Sequence, residues 1–579
     1  MSDVAGAAVP SRDLCRDLSG ALFSLRGISV LIAAAIVLLI VYPIGLMIWA
    51  VFGPDSAVHK EGLIEALVRE NIWLVLQNTV IVVAASGALA MTFGTLLAWL
   101  NERTDAGAGR MGEILPLMPL LMPQIAGVIG WVMLLAPRAG LLNVGLRSLA
   151  NSFGIEITSG PLDIYTIYGL IAIMALYLTP YVYLPVSSAL KSLDPSLEEA
   201  SRMAKANAFT TFRRVTLPAI RPALLAGLLL VMMMGFAIFS VPVIIGSGAK
   251  IEMLPVLIYR LVYAYPARVD LAILLGLLLT VLVQVLLLLQ TVLAPANLSA
   301  QIGGKAQRAA RVHLGVWRWL ARILLLSFIV TAGVLPLLGL AFVSLQPFWT
   351  PNINVNTLGF DNYRTIFFNS SLAGKALVNS VVLGAVGGTL GMLIAALLSR
   401  SAQVSGSGVN RLIQAVTAAP AGVPHVVVAV GFILSFSSGW LNISGTWLIL
   451  LLAYLVIFMP QAMRSASVAV AQVGKELTEA AAIFKAAPGR AFRSVMLPLM
   501  LPGLAAGWVI LFVQMAGELT ASALLAKTSN PVIGQVLLDL WQNGSFPEIA
   551  ALALTATIIN ILVVTAVFAF VRRKRGLQT

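Results

Sequence analysis

Residues 199–218 read EASRMAKANAFTTFRRVTLP, and residues 479–498 read EAAAIFKAAPGRAFRSVMLP, so one basic, loop-like pattern occurs twice, 280 residues apart. Nine of the twenty aligned positions are identical. The match resumes at Pro222 and Pro502, beyond the loop itself. A repeat of this extent predicts a chain built from two similar halves.

The composition places both halves in a lipid bilayer. Of 579 residues, 59% are hydrophobic and only 10% are charged, which is about half the charged share of a soluble domain. The first 27 residues are too polar for a cleaved signal peptide. Long continuous apolar runs favour helices over the short alternating strands of a barrel. We therefore expect an all-α membrane protein with about twelve transmembrane helices, at about 28–52, 74–100, 114–136, 165–186, 223–245, 271–293, 323–343, 379–399, 415–436, 446–463, 504–526 and 549–571.

The distribution of basic residues predicts the orientation. With the N-terminus inside, 27 of the 37 Lys and Arg residues lie in cytoplasmic segments and 10 in external ones. This bias follows the positive-inside rule, so we expect both termini and both copies of the repeated loop in the cytoplasm. Basic inner loops beside anionic headgroups account for the net charge of +14, and no nucleic-acid partner is expected.

Matched positions extend the repeat through most of the chain. Asn78-Thr79 recurs as Asn379-Ser380, displaced by 301 residues, and "LPLMPLLMPQIAGVIG" shares two prolines and a glycine with "VTAAPAGVPHVVVAVG". Six helices per half is an even number, so we expect parallel repeats with a substrate path between them. The predicted units are a cytoplasmic segment 1–27, a first six-helix domain 28–293, a cytoplasmic linker 294–322, a second six-helix domain 323–571 and a basic cytoplasmic tail 572–579.

Each copy of the repeated loop has the composition of a short helical hairpin. Ala-rich segments with interspersed Glu and Arg favour helices, and Asn207 or Pro488-Gly489 suits a turn between them. Pro218 and Pro498 then suit a sharp re-entry into the bilayer. We expect a helix-turn-helix that projects from the membrane in each half.

Both loops resemble the signature loop of permease subunits of bacterial ABC importers with the type I fold, whose pattern is Glu-Ala-Ala, three residues, Gly and a stretch that ends in Leu-Pro. The resemblance implies a bacterial inner-membrane subunit, two copies of a separate ABC ATPase docked on the loops, and a periplasmic binding protein that delivers the substrate. Lys205 and Lys485 stand where that family has glycine, which is a departure from the pattern. The implied ATPase-coupling residues are Glu199, Ala200, Lys205, Leu217, Pro218, Glu479, Ala480, Lys485, Leu497 and Pro498.

Other motifs fit a transport subunit and not an enzyme. The sequence contains no G-x-x-x-x-G-K-[ST] phosphate loop, so ATP hydrolysis is expected of another protein. Three histidines and the single Cys15 are scattered, and neither a metal site nor a cofactor is expected. We interpret His425, which follows Pro424 at a predicted helix start, as a residue that is packed or close to a loop.

Glu518 is the acidic residue that the prediction places within a transmembrane helix. If helix eleven is continuous, Glu518 lies about 22 Å beyond Gly503, where a carboxylate normally faces a cavity or a partner. "GELTASALL" resembles the second-half motif of ferric-iron permeases, although Ile238 is the counterpart in the first half. We expect Glu518, Thr520 and Ser240 in the translocation path. Phosphonate, thiamine or polyamine remain alternative substrates, and an ion-coupled secondary transporter is the alternative class.

Overall fold

The computed structural model describes residues 25–54, 68, 70–107, 115–120, 122–293, 311–352, 354–369, 371–404, 407–437, 441–471 and 497–576. Within these ranges the regular elements are helical, apart from one isolated bridge between Thr104 and Val312. The helices of the first half are α1 Leu25–Phe52, α2 Ile72–Arg103, α3 Gln124–Leu135, α4 Leu141–Ser152, α5 Ile167–Ser192, α6 Pro195–Met203, α7 Ala208–Thr211, α8 Arg221–Ala237, α9 Leu254–Tyr263 and α10 Val269–Leu293.

The long helices of the second half follow the order of those in the first, with additional short helices between them. They are α11 Trp317–Ile329, α12 Leu335–Ser344, α13 Asp361–Arg364, α14 Ser371–Val404, α15 Ser407–Ala418, α16 His425–Phe436, α17 Trp447–Ala471, α18 Leu497–Ala516, α19 Ser522–Leu525, α20 Ile533–Gln542 and α21 Phe546–Gly576. Short turns complete both halves: 3₁₀ at Leu115–Leu120, Val355–Thr357 and Ala419–Gly422, α-helical at Leu217–Ala219 and Ser247–Ala249, and π-helical at Phe212–Thr216, Pro242–Gly246, Val330–Val334 and Thr365–Asn369.

The number of spans depends on how bent helices are counted. Among the described residues, nine helices are long and apolar enough to cross a membrane, and three further pairs pass the same test but are bent by 73°, 89° and 100°. The first bend joins Ala208–Ala219 to Arg221–Ala237 directly after Pro218, where the sequence predicted a sharp turn. Counting each bent pair as one span gives up to twelve.

Several predicted spans have different limits in the structure. The span at 114–136 is divided into a 3₁₀ turn and the twelve-residue α3, because the prolines of this segment interrupt the helix. The spans at 223–245 and 504–526 end early, at Ala237 and Ala516. A continuous helix through Glu518 was therefore a wrong prediction, since this residue follows the end of α18.

The first membrane span of each half packs against the other half. Helix α1 packs against α16 of the second half, and α12 packs against α3 of the first. The repeated glycines allow this close approach: a Cβ at Gly431 would lie 3.1 Å from Pro43 Cβ of α1, and one at Gly130 would clash with the backbone of Pro336. The exchange ties the two halves into one helical bundle.

The repeated Asn-Thr and Asn-Ser pairs have the same structural role in both halves. Thr79 Oγ1 accepts a hydrogen bond from Leu254 N at 2.9 Å, and Ser380 Oγ accepts one from Ile533 N at 2.8 Å. Each hydroxyl thus satisfies a backbone N–H at the start of a short helix, α9 or α20, which otherwise has no intrahelical partner. These hydrogen bonds fix the two short helices to α2 and α14.

Candidate functional site

The first copy of the repeated loop forms the predicted helix-turn-helix. Helix α6 is followed by a turn and by α7, which continues through a π-helical turn to Ala219. Asn207 begins α7, and its side-chain oxygen accepts a hydrogen bond from Thr210 N at 2.7 Å. Ser201 Oγ and Thr211 Oγ1, 2.9 Å apart, join the two arms. We refer to residues 195–219, for which the sequence predicts coupling to an ATPase, as the first coupling loop.

Lys205 lies in the turn between α6 and α7, at the position where the sequence resemblance expects glycine. Its φ of 58° lies in the left-handed region, which a residue with a Cβ adopts at a cost of about 1 kcal/mol. The side chain is exposed. Lys205 therefore has a backbone conformation that glycine would adopt with less strain.

Adjacent acidic residues on α6 face in different directions. Neighbouring helical positions point about 100° apart, so one of the pair can face the protein while the other faces away. Glu199 and Ala200 are exposed, whereas Glu198 is buried. Leu197, Met203 and Phe209 are also exposed, so the outer surface of the loop carries apolar side chains beside Glu199.

Glu198 joins the first coupling loop to the transmembrane helices through a buried ion pair. Its Oε2 lies 3.5 Å from Arg103 Nη1 at the end of α2, and both side chains are at most 2% exposed. Thr216 Oγ1 donates to Glu198 Oε1 at 2.7 Å. Arg103 Nη2 donates to the carbonyl oxygens of Leu190 and Leu193, at 2.7 and 2.8 Å. A single guanidinium thus holds α2, the end of α5 and the first coupling loop together.

The start of the second half is attached at the same place. Val312 N donates to Arg103 O at 2.8 Å, and Asp105 N donates to Val312 O at 3.1 Å. The Asp105 carboxylate accepts from Leu314 N at 3.2 Å and lies 3.4 Å from His313 Nδ1. The predicted linker therefore ends in a segment that is paired with the residues beside the coupling loop.

Of the second copy of the repeated loop, residues 479–498, only Leu497 and Pro498 lie within the described residues and can be compared with the first copy. Leu497 and Pro498 are the first two residues of α18, with Leu497 exposed and Pro498 partly buried. In the first copy, Leu217 and Pro218 are both partly buried. Glu479, Ala480 and Lys485 lie outside the described residues.

A cavity of about 560 Å³ lies between the halves. Its walls include the repeated prolines of both halves, Pro119 with Pro420 and Pro123 with Pro424. All three residues expected in the translocation path line it, together with polar side chains that the sequence did not single out. The polar lining consists of Gln124, Tyr181, Ser240 and Gln290 from the first half and His425, Gln461, Arg464, Ser465, Gln514, Glu518 and Thr520 from the second.

Glu518 caps the helical turn that follows the break after α18. Both carboxylate oxygens accept hydrogen bonds from Ala521 N, at 2.9 and 3.0 Å, and Oε2 also accepts one from Ser522 N at 2.9 Å. Gly517 lets the break approach the other half, because a Cβ there would lie 3.0 Å from Pro123 Cβ. The acidic residue therefore stabilises a non-helical segment of the cavity wall.

His425, which the sequence predicted to be packed or close to a loop, is partly buried and faces the cavity. Its ring stacks edge-on with Phe458 at a centroid distance of 5.5 Å. Its Nδ1 lies 3.5 Å from Glu518 Oε1. Gln124 occupies the matched position in the first half, and its Oε1 accepts a hydrogen bond from Ser240 Oγ at 3.4 Å. Sequence analysis missed these two contacts, because the partners are far apart in the chain.

The sequence predicts that the helix at 446–463 ends just before Arg464, whereas the structure places Arg464 inside α17. The helix continues to Ala471, past the predicted end at 463, and Arg464 lines the cavity. Tyr181 of α5 lines the same cavity. Pro180 and Pro460 mark corresponding positions of α5 and α17, so Leu184 is the first-half counterpart of Arg464. Among the described residues, no group of three or more His, Cys, Asp or Glu side chains could hold a metal ion.

The chain forms two parallel helical repeats that exchange their first spans. A polar cavity lies between the repeats, and a helix-turn-helix projects from the first one. These features define a membrane permease of the type I importer fold. The family model for the binding-protein-dependent transport system inner membrane component matches residues 90–298 and 387–574. The chain belongs to this family, which decides against a self-sufficient secondary transporter.

Two ferric permeases among the curated relatives match most of the chain, and a sulfate permease matches a smaller part. The ferric transport system permease protein FbpB of Actinobacillus pleuropneumoniae is 25% identical over 542 residues, which cover 92% of this chain and 75% of the relative. The Fe(3+)-transport system permease protein FbpB 2 of Haemophilus influenzae is 24% identical over 494 residues, covering 84% of this chain and 87% of the relative. The sulfate transport system permease protein CysW of Synechocystis is 32% identical over 231 residues, covering 38% of this chain and 79% of the relative.

Proposed function

We propose that this importer permease carries ferric iron, delivered by a periplasmic binding protein, through the cavity between its two halves. The observation that carries the proposal is the similarity to ferric permeases over as much as 92% of the chain, including both halves and the exchanged helices. Ser240, Glu518 and Thr520 form part of the proposed path.

In this proposal two copies of an ABC ATPase dock on the coupling loops. The exposed Glu199 and Ala200, flanked by the apolar side chains of Leu197 and Met203, give the first loop a surface suited to a protein partner. Because Glu198 faces inward and binds Arg103, movement of the docked loop passes directly to the ends of α2 and α5. The coupling loops and both termini are then cytoplasmic, as the basic residues predict.

The cargo is tested by uptake of radioactive iron in cells that lack the chromosomal copy of this permease. The intact chain should restore uptake, and the double variant Glu199→Arg and Glu479→Arg should abolish it while the protein stays in the membrane. Leu142→Arg, at an exposed position on the short α4 outside both loops, is the matched control and should retain uptake. Normal iron uptake in the double variant, or no uptake with the intact chain, would contradict the proposal.

A further inference from the structure

The ionisable side chains of the cavity are unequally divided between the halves. The second half contributes Arg464, Glu518 and His425. The corresponding first-half positions are Leu184, Ile238 and Gln124. Any cargo that carries a charge is therefore recognised mainly by the wall that the second half forms.

The Glu518 carboxylate has little remaining capacity to bind a cation. A carboxylate offers about four lone-pair sites. Two backbone donors already occupy that of Glu518: Ala521 N is shared between the two oxygens at 2.9 and 3.0 Å and Ser522 N lies 2.9 Å from Oε2, while His425 Nδ1 lies 3.5 Å from Oε1. Glu518 lines the cavity with only 6% of the residue exposed, and its carboxylate is engaged mainly by the backbone of the wall.

The Arg464 guanidinium, in contrast to the Glu518 carboxylate, is available to a ligand in the cavity. Its Nε donates a long hydrogen bond of 3.4 Å to Pro460 O, and the residue is exposed where it lines the cavity. Within the part of the chain that the structure describes, no side chain forms an ion pair with it at 4.0 Å or less. A guanidinium keeps its charge at all physiological pH values and presents two parallel N–H groups that fit an oxyanion. The accessible charge of the cavity is therefore positive.

We propose that the cavity takes its cargo as an oxyanion-bearing species held by Arg464, and not as a bare cation ligated by Glu518. This inference rests on the proposed function in treating the cavity as the path of the cargo. A ferric ion, which prefers oxygen ligands, then crosses together with carboxylate or phosphate groups that contact the guanidinium. Gln461, one turn before Arg464 on the same helix, lies at the proposed anion site.

The charge preference can be measured without knowing the cargo. Cys15 is the single cysteine of the chain, so Cys15→Ser with Gln461→Cys places one thiol next to Arg464. The full-length protein in nanodiscs is treated with a negatively charged and, separately, a positively charged methanethiosulfonate. The rate constant for modification of the thiol by each reagent is divided by the rate constant of the same reagent with a free thiol in solution. We expect the negative reagent to be preferred. Arg464→Gln should reduce that preference about tenfold or more, since the removed charge lies within about 6–8 Å of the thiol.

Two further variants separate charge from packing. Arg464→Lys should restore most of the preference, and Leu184→Gln, at the corresponding first-half position, should change it less than twofold. Equal rates for the two reagents, or a preference unaffected by Arg464→Gln, would overturn the inference. A preference for the positive reagent that disappears in Glu518→Gln would assign the cavity to cations. Iron uptake is measured separately in the same variants, so failure of the intact chain to import iron refutes the proposed cargo while the reactivity ratio still decides the charge preference.

Discussion

Removing the charge of Glu198 should release the first coupling loop from the membrane helices. The Glu198–Arg103 contact of 3.5 Å joins two side chains that are at most 2% exposed. Loss of one partner from a buried ion pair costs about 3–5 kcal/mol, because the other charge remains buried. In Glu198→Gln, Arg103 keeps its bonds to two carbonyl oxygens, so we take the lower value of about 3 kcal/mol.

Hydrogen exchange of the loop amides measures this effect directly. Because about 1.4 kcal/mol corresponds to a factor of ten, amides in residues 195–219 should exchange about 100 times faster in Glu198→Gln, provided that the loop opens locally. Glu199→Gln is the matched control, since its exposed side chain should change exchange less than threefold. In the assembled transporter, Glu198→Gln should hydrolyse ATP without driving uptake, because the loop is released from the membrane helices.

The double variant Arg103→Met and Glu198→Leu tests whether charge is the cause. The double variant leaves no uncompensated buried charge but removes the Arg103 hydrogen bonds to Leu190 O and Leu193 O, so exchange should be slower than in Glu198→Gln without reaching the wild-type rate. Unchanged exchange in Glu198→Gln would refute the reasoning, and so would a double variant that exchanges faster than either single variant.

Three further changes test the turn, a helix cap and the contact between the halves. Lys205→Gly should slow amide exchange of the first coupling loop, because glycine adopts the left-handed φ with a gain of about 0.5–1 kcal/mol; faster exchange would contradict this. Ser380→Ala leaves Ile533 N without its acceptor and should cost about 1–3 kcal/mol, observed as a lower melting temperature in detergent. Gly130→Ala forces a methyl group against the backbone of α12 and should cost about 1–3 kcal/mol in the same assay, whereas Gly145→Ala, with no atom within 4 Å of its Cβ, should have no such effect.

The sequence by itself determined the class of fold. Hydrophobic runs of bilayer length and the repeat at 199–218 and 479–498 predicted an all-helical, two-half permease, and both features depend on local composition and spacing. The helix-turn-helix of the first coupling loop was also predictable, since Asn207 and Pro218 act within a few residues of their own positions. Glu518, which the sequence predicted in the translocation path, lines the cavity between the halves.

Only the tertiary structure decided which side chains meet. The Glu198–Arg103 pair joins residues 95 positions apart, and the Glu518–His425 contact joins residues 93 apart. The break after Ala516 was missed because the apolar pattern continues through it, while the cap by the Glu518 carboxylate and the close approach of Gly517 to Pro123 hold the chain out of the helix. Arg464 became a cavity residue because α17 is longer than its apolar run. Hydrophobicity fixes where a chain lies in the bilayer, but hydrogen bonds and packing between distant segments fix how a helix ends and what its polar residues contact.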